Sequence, residues 1–284
     1  MRVLKFGGSS LADFDCLQQV AQLVKAQLKD EMLLVLSAPG GMTDSLVALA
    51  SAAEKGHDIS QLWQALISRC DELKAAVEKE HGSIKNWPDF SELKNKLEGV
   101  ALIQCCPEQV RAFVISFGER VSVSLMQNLL SSHDAVYLEA TSCIASTGGY
   151  IDAEADLVTS KTRFQTVLKD HPSTIYIMPG FTASNDKGEL TTLGRNGSDY
   201  SAAIAAACLD AEVCQIWTDV DGVYSADPRY IKKPLRLISY LIKKRWSFLI
   251  LALKSFILKQ SYLAPKLGCH VRLKILIILR LRVL

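Results

Sequence analysis

The chain has 284 residues, 49% of them apolar, enough for one large α/β domain or two small ones. Its formal charge of +2 conceals a division: residues 241–284 carry ten Lys or Arg and no acid, leaving residues 1–240 with 22 basic against 30 acidic side chains, about −8. An acidic body argues against a nucleic-acid surface, and eight cysteines without a CxxC pair point to reduced, mostly buried thiols in a cytoplasmic protein.

In chain order, Arg2–Phe6 is an apolar strand running into a glycine turn, unlike the charged-then-apolar start of a secretory signal. Apolar positions near 3.6 spacing predict a helix over Leu11–Lys29, and Met32–Leu36 is a continuous buried-type strand. Helices are expected from Asp44 to about Glu54, over Gln61–Lys79 and over roughly Ser91–Gln104, with a break at Asn86-Trp87-Pro88. A further helical stretch from Glu108 through His133 contains a turn at Gly118. Ala135–Glu139, Thr174–Met178 and Glu212–Trp217 read as strands. Strands alternating with helices imply α/β architecture: a mostly parallel sheet sandwiched between helices, with ligands at the carboxyl ends of its strands. No stretch reaches the ~18 uncharged apolar residues of a membrane span.

Five polar loops carry the chemistry. Lys5-Phe6-Gly7-Gly8-Ser9-Ser10 places two glycines and a lysine between strand and helix, where backbone N–H groups and the helix dipole suit an anion. On that motif alone, a plain tight turn with a serine cap is an equal reading. In Ser37–Ser45, SAPGGMTDS, capping of the next helix by Thr43 or Asp44 is the simpler role. Glu119, beside Gly118 and Arg120, can hold a ligand ammonium, although a solvated helical glutamate is commoner. Gly194–Tyr200 offers the Arg195 fork for a carboxylate or phosphate, donors at Asn196-Gly197-Ser198, and Asp199 as counter-charge. Trp217–Arg229 is a strand ending in TDVDGVYSADPR, with carboxylates, a turn glycine, an aromatic and an arginine. The five histidines show no metal-ligand spacing, and no metal-ligating residue is identified.

Taken together and in this order, these segments resemble the catalytic domain of the aspartokinases, within the amino acid kinase family. KFGGSS resembles the family's KFGGTS, SAPGGMTDSL its second loop and FGER its third. LGRNGSDYSA is close to the aspartokinase-specific GRGGSDxTA, and WTDVDGVYSADPR matches the nucleotide loop, which glutamate 5-kinase shares in looser form. The phrasing around GFTASNDKGELTTLGRNGSDYSAA is most similar to the kinase half of bifunctional aspartokinase–homoserine dehydrogenases.

The resemblance implies the carbamate kinase-like fold and ATP-dependent, Mg²⁺-assisted phosphorylation of the L-aspartate β-carboxylate, the first step towards lysine, threonine and methionine. Lys5, Gly7 and Gly8 would contact ATP phosphates, with Lys5, Arg195 and Asp199 in catalytic roles. Thr43, Glu119, Arg195 and Ser198 would bind aspartate, and Thr218, Asp219, Tyr224 and Arg229 the nucleotide. The full-length form would be a homo-oligomer, with neither nucleic acid nor membrane as partner. Two alternatives stand beside this: another amino acid kinase, acting on glutamate or an acetylated amino acid, and an inactive truncated fragment.

The likeness covers residues 1–240, the expected catalytic domain, and fails in the basic, leucine-rich tail of residues 241–284. After LISY the family would continue close to QEAMELSYFGAKVLHPKTI. Codons exist for residues 242–261 that, read two bases in, spell that segment. Codons for residues 269–284 likewise spell PCSIKNTYNPQAPGT. Because each shifted codon takes two nearly fixed bases from the next residue, chance agreement is improbable, and the tail is expected to be an out-of-frame reading.

Overall fold

The computed structural model describes residues 1–28 and 30–218, together with the backbone of strand segments 223–224, 236–237 and 272–278; at residue 218 it likewise describes only the backbone. The strands are β1 Arg2–Phe6, β2 Met32–Leu36, β3 Val136–Tyr137, β4 Ala145–Thr147, β5 Glu154–Asp156 and β6 Ile175–Pro179, then β7 Thr182–Ser184, β8 Leu190–Thr192, β9 Val213–Thr218, β10 Val223–Tyr224, β11 Arg236–Leu237 and β12 Arg272–Ile278. The helices are α1 Phe14–Ala26, α2 Met42–Glu54, α3 Ser60–His81, α4 Phe90–Ile103, α5 Glu108–Ile115, α6 Phe117–Leu129, α7 Ala140–Cys143, α8 Leu157–Asp170 and α9 Gly197–Cys208.

A six-stranded sheet runs β12-β9-β1-β2-β6-β3. β9, β1, β2, β6 and β3 are mutually parallel, and β12 lies antiparallel on the outer edge of β9. Strands buried on both faces must be apolar throughout, which is why MLLVL and IYIMP lack polar alternation. The period of two then sorts side chains between two cores. Leu4, Phe6, Leu34 and Leu36 pack beneath α1 to α6, whereas Val3, Leu33 and Val35 face α7 to α9. Lys5 shares the face of Val3 and therefore points at α9.

The helices begin and end where local chemistry dictates. α1 starts at Phe14, later than the apolar spacing predicts, because Asp13 accepts a hydrogen bond from the Cys16 N–H at 2.8 Å and caps it. The preceding Gly8–Leu11 is a separate 3-10 turn, so neither Ser9 nor Ser10 caps α1. α2 is capped by Gly41, whose φ of 76° only glycine adopts freely; Thr43 and Asp44 lie inside its first turn and not at the cap. The expected turn at Gly118 falls instead at Ser116, between α5 and α6, and Gly118 is helical.

A second sheet, β5-β4-β7-β8, was not predicted from the sequence. Its strands have three residues each, too few to show alternation. Among the cysteines, Cys70, Cys106, Cys143, Cys208 and Cys214 are buried free thiols and Cys105 an exposed one; Cys16 departs from the expectation in being disulfide-bonded. No helix among the described residues is long and apolar enough to cross a membrane.

Candidate active site

The glycine loops meet at the carboxyl ends of the central parallel strands. The Gly7 N–H donates to the Trp217 carbonyl of β9 at 3.0 Å, the Ser37 N–H to the Phe6 carbonyl of β1 at 3.2 Å, and the Gly180 N–H to the Leu36 carbonyl of β2 at 2.8 Å. Four strand ends are thereby laced together. The first two loops then touch backbone to backbone: a Cβ on Gly8 would stand 2.8 Å from the Ala38 carbonyl oxygen, and one on Gly40 would stand 3.1 Å from the Gly8 oxygen. A Cβ on Gly118 would meet the Ala38 methyl at 2.7 Å, so the third loop closes on the same point. Only glycine permits this convergence.

Inside it lie three ionisable side chains. Lys5, 7% exposed, places its Nζ 2.7 Å from Oδ1 of Asp199, also 7% exposed, in the first turn of α9. The contact is an ion pair by proximity, its angles falling outside those of an aligned hydrogen bond. Such pairing is what lets two charges remain buried. Glu119, 3% exposed on the first turn of α6, is buried and not solvated, which overturns the commoner reading of a glutamate beside an arginine. Desolvation pushes its carboxyl up to about 8, against the opposing pull of its own N–H, the Ala38 N–H and the Lys5 charge. Its Oε2 has no hydrogen-bond partner. Arg120 turns away and stacks on Phe113, 5.1 Å from the ring centroid. A buried, unsatisfied carboxyl beside a buried lysine is an arrangement folding does not need.

The remaining candidates divide. Thr43 and Ser198 are half-buried at the starts of α2 and α9, and Arg195 is exposed in the loop before α9. Asn196 caps α9 in a left-handed conformation with φ 59°, tolerable for asparagine where the family pattern has glycine. Thr218 ends β9, beside the Gly7 loop, and Tyr224 lies in β10, both as backbone only; Asp219 and Arg229 lie outside the described residues.

Gly180-Phe181 was not predicted. A Cβ on Gly180 would fall 2.7 Å from that of Ser198, and Phe181 holds a φ of 68°, strained for a bulky residue. Its N–H donates to Ser201 Oγ at 2.9 Å, and Ser201 donates to the Gly197 carbonyl at 2.9 Å, which fixes the start of α9. The signal in the sequence was the Pro179-Gly180-Phe181 turn directly after a strand.

A profile described as the amino acid kinase family matches residues 1–244. The chain is 36% identical over 253 residues to the bifunctional aspartokinase/homoserine dehydrogenase of Buchnera aphidicola, covering 84% of this chain and 31% of that protein. It is 32% identical over 244 residues to lysine-sensitive aspartokinase 3 of Escherichia coli, covering 83% of this chain and 52% of that one. The crystal structure of E. coli aspartokinase III in complex with aspartate and ADP superposes with a TM-score of 0.70 at 29% identity, over 84% of this chain and 53% of that chain. The chain thus spans about a third to a half of the length of the relatives it matches.

Proposed function

The chain belongs to the amino acid kinase family, and from that premise we propose that it transfers the γ-phosphoryl group of ATP to the β-carboxylate of L-aspartate. The observation that carries this reading is the buried Glu119, whose Oε2 has no hydrogen-bond partner, beside the Lys5–Asp199 pair. It suits a substrate that brings an ammonium to one side and a reacting carboxylate to the other. Similarity to aspartokinases at 36% and 32% identity supports the choice of aspartate.

In this reading the Gly7 and Gly8 N–H groups and Lys5 receive the phosphates, Lys5 neutralising charge on the transferring group and Asp199 holding the lysine in place. Glu119 takes the aspartate ammonium, Arg195 a carboxylate by its bidentate fork, and Thr43 and Ser198 complete the pocket. Thr218, Asp219, Tyr224 and Arg229 would cradle the nucleotide. The attacking oxygen already belongs to a carboxylate, so no general base is required. Among the described residues no three His, Cys, Asp or Glu side chains gather to cage a metal. Mg²⁺ would be carried mainly by the phosphate oxygens, and Asp199 is a buried carboxylate that would be available to it. When bound, the ion supplies further neutralisation of the phosphates.

The catalytic unit is taken as residues 1–240, with residues 241–284 an out-of-frame tail and the full-length form a homo-oligomer. Formation of aspartyl hydroxamate from ATP, aspartate and hydroxylamine tests the activity. ADP release with glutamate or N-acetylglutamate but not with aspartate would overturn the substrate, and release with none of them would favour an inactive fragment.

A further inference from the structure

Arg69 belongs to none of the five loops. It sits in the middle of α3, yet its guanidinium links the second of them to the segment just after the first: Nη2 donates to the Gly40 carbonyl at 2.5 Å and reaches the Ala12 carbonyl at 3.5 Å. Those contacts bridge 29 and 57 positions of sequence. Among the described residues Arg69 forms no ion pair, so its charge is directed at backbone oxygens alone.

The two contacts are unequal. The bond from the guanidinium to the Gly40 carbonyl is charge-assisted and lies well within hydrogen-bond range, whereas 3.5 Å to Ala12 is the outer limit of a hydrogen bond. Gly40 is also the more consequential anchor. Its carbonyl shares a planar peptide with the Gly41 N–H, so holding the oxygen fixes the plane and turns that N–H to the opposite side. Gly41, at φ 76°, is the cap from which α2 departs, and Thr43 lies in the first turn. A glycine pair has little conformational preference of its own to keep that geometry.

We infer that Arg69 is a positioning residue: through the Gly40–Gly41 peptide it fixes where α2 begins and so where Thr43 stands, and through Ala12 it ties this loop more weakly to the segment that follows the Gly7–Gly8 loop. The kinetic part of the inference rests on the aspartate kinase reading; the structural part does not.

Arg69→Met keeps the aliphatic stem and removes every donor, and Arg69→Lys keeps a charge able to serve one carbonyl but not the fork. Hydrogen exchange on the full chain should show Arg69→Met exchanging about tenfold faster over residues 37–45, with α3 protection retained and Arg69→Lys close to wild type. In the phosphotransfer assay, Arg69→Met should raise KM for aspartate about tenfold while KM for ATP stays within about twofold. Unchanged exchange over 37–45, loss of protection along all of α3, or equal rises in both KM values would each overturn the positioning role. Should the wild-type chain not phosphorylate aspartate, that failure belongs to the substrate reading, and the exchange result still decides the clamp.

Discussion

Glu119 carries a pH dependence whose sign can be worked out. Its carboxyl is pushed to about 8 by burial, so at pH 7 the empty site holds it mostly protonated. An ammonium ligand needs the carboxylate, and binding must therefore release a proton. Affinity for aspartate should rise with pH up to about 8 and level off above it. Calorimetry in buffers of different ionisation enthalpy should report that proton, and its absence would place the ammonium elsewhere. For folding the sign is opposite: between the unfolded value near 4.5 and the folded value near 8 the native state binds more protons, so stability falls as pH rises through that window. Glu119→Gln should abolish both trends. Lys5 and Asp199 make a second test, since removing one member of a buried pair leaves the other charge uncompensated. Asp199→Asn should destabilise the chain by about 3–5 kcal/mol in denaturant unfolding and cost more activity than Ser198→Ala. Lys5 and Asp199 could be picked out as candidates because glycines and turn residues flank them. The burial of Glu119 could not be read, since nothing local distinguishes a glutamate facing a cleft from one facing water.

At the level of elements, glycine placement separates loops that must touch from helices that merely tolerate the residue. A Cβ on Gly8 would collide with the Ala38 oxygen at 2.8 Å, a backbone atom that cannot swing aside, whereas Gly99 in α4 has nothing within 4 Å of its missing Cβ. Gly8→Ala should therefore cost about 1–3 kcal/mol and weaken nucleotide binding. Gly99→Ala should stabilise the chain by about 0.5–1 kcal/mol through helix propensity alone. Paired thermal melts check both, and equal shifts of the same sign would refute the contrast. The same distinction explains what sequence reading missed. Gly118 looks like a turn because glycine usually marks one, but here its lack of a side chain lets α6 press against Ala38 and Met42. α9 is buried over nearly its whole surface, so its alanines reflect close packing against β1 and not an exposed face. Central strands were legible because burial on both faces demands unbroken apolar runs. The three-residue strands of the second sheet owe their existence to tertiary pairing and carry no such pattern.

For the whole molecule, the decisive contrast is between an acidic body and a tail with ten basic and no acidic residues. Natural selection for solubility mixes signs along a surface, and a leucine-rich basic segment instead offers apolar area and unbalanced charge together. On the proposed out-of-frame reading that composition has a cause, since one lost or gained base would convert QEAMELSYFGAKVLHPKTI into the residues found at 242–261. A frame restored by a single-base correction between codons 238 and 243 should return a lysine within YFGAKV, a candidate for phosphate contact, and in-frame residues over the span now read as 242–284. The corrected chain should be recovered in soluble form at several-fold higher yield, melt at higher temperature, and form aspartyl hydroxamate at least about tenfold faster, the worth of one charged phosphate contact. Sequencing the locus comes first, because an uninterrupted reading frame encoding residues 241–284 as they stand would remove the cause and make the tail a feature to be explained by its own interactions. Equal yield, melting and rate for the two chains would show instead that residues 1–240 suffice for both folding and phosphoryl transfer.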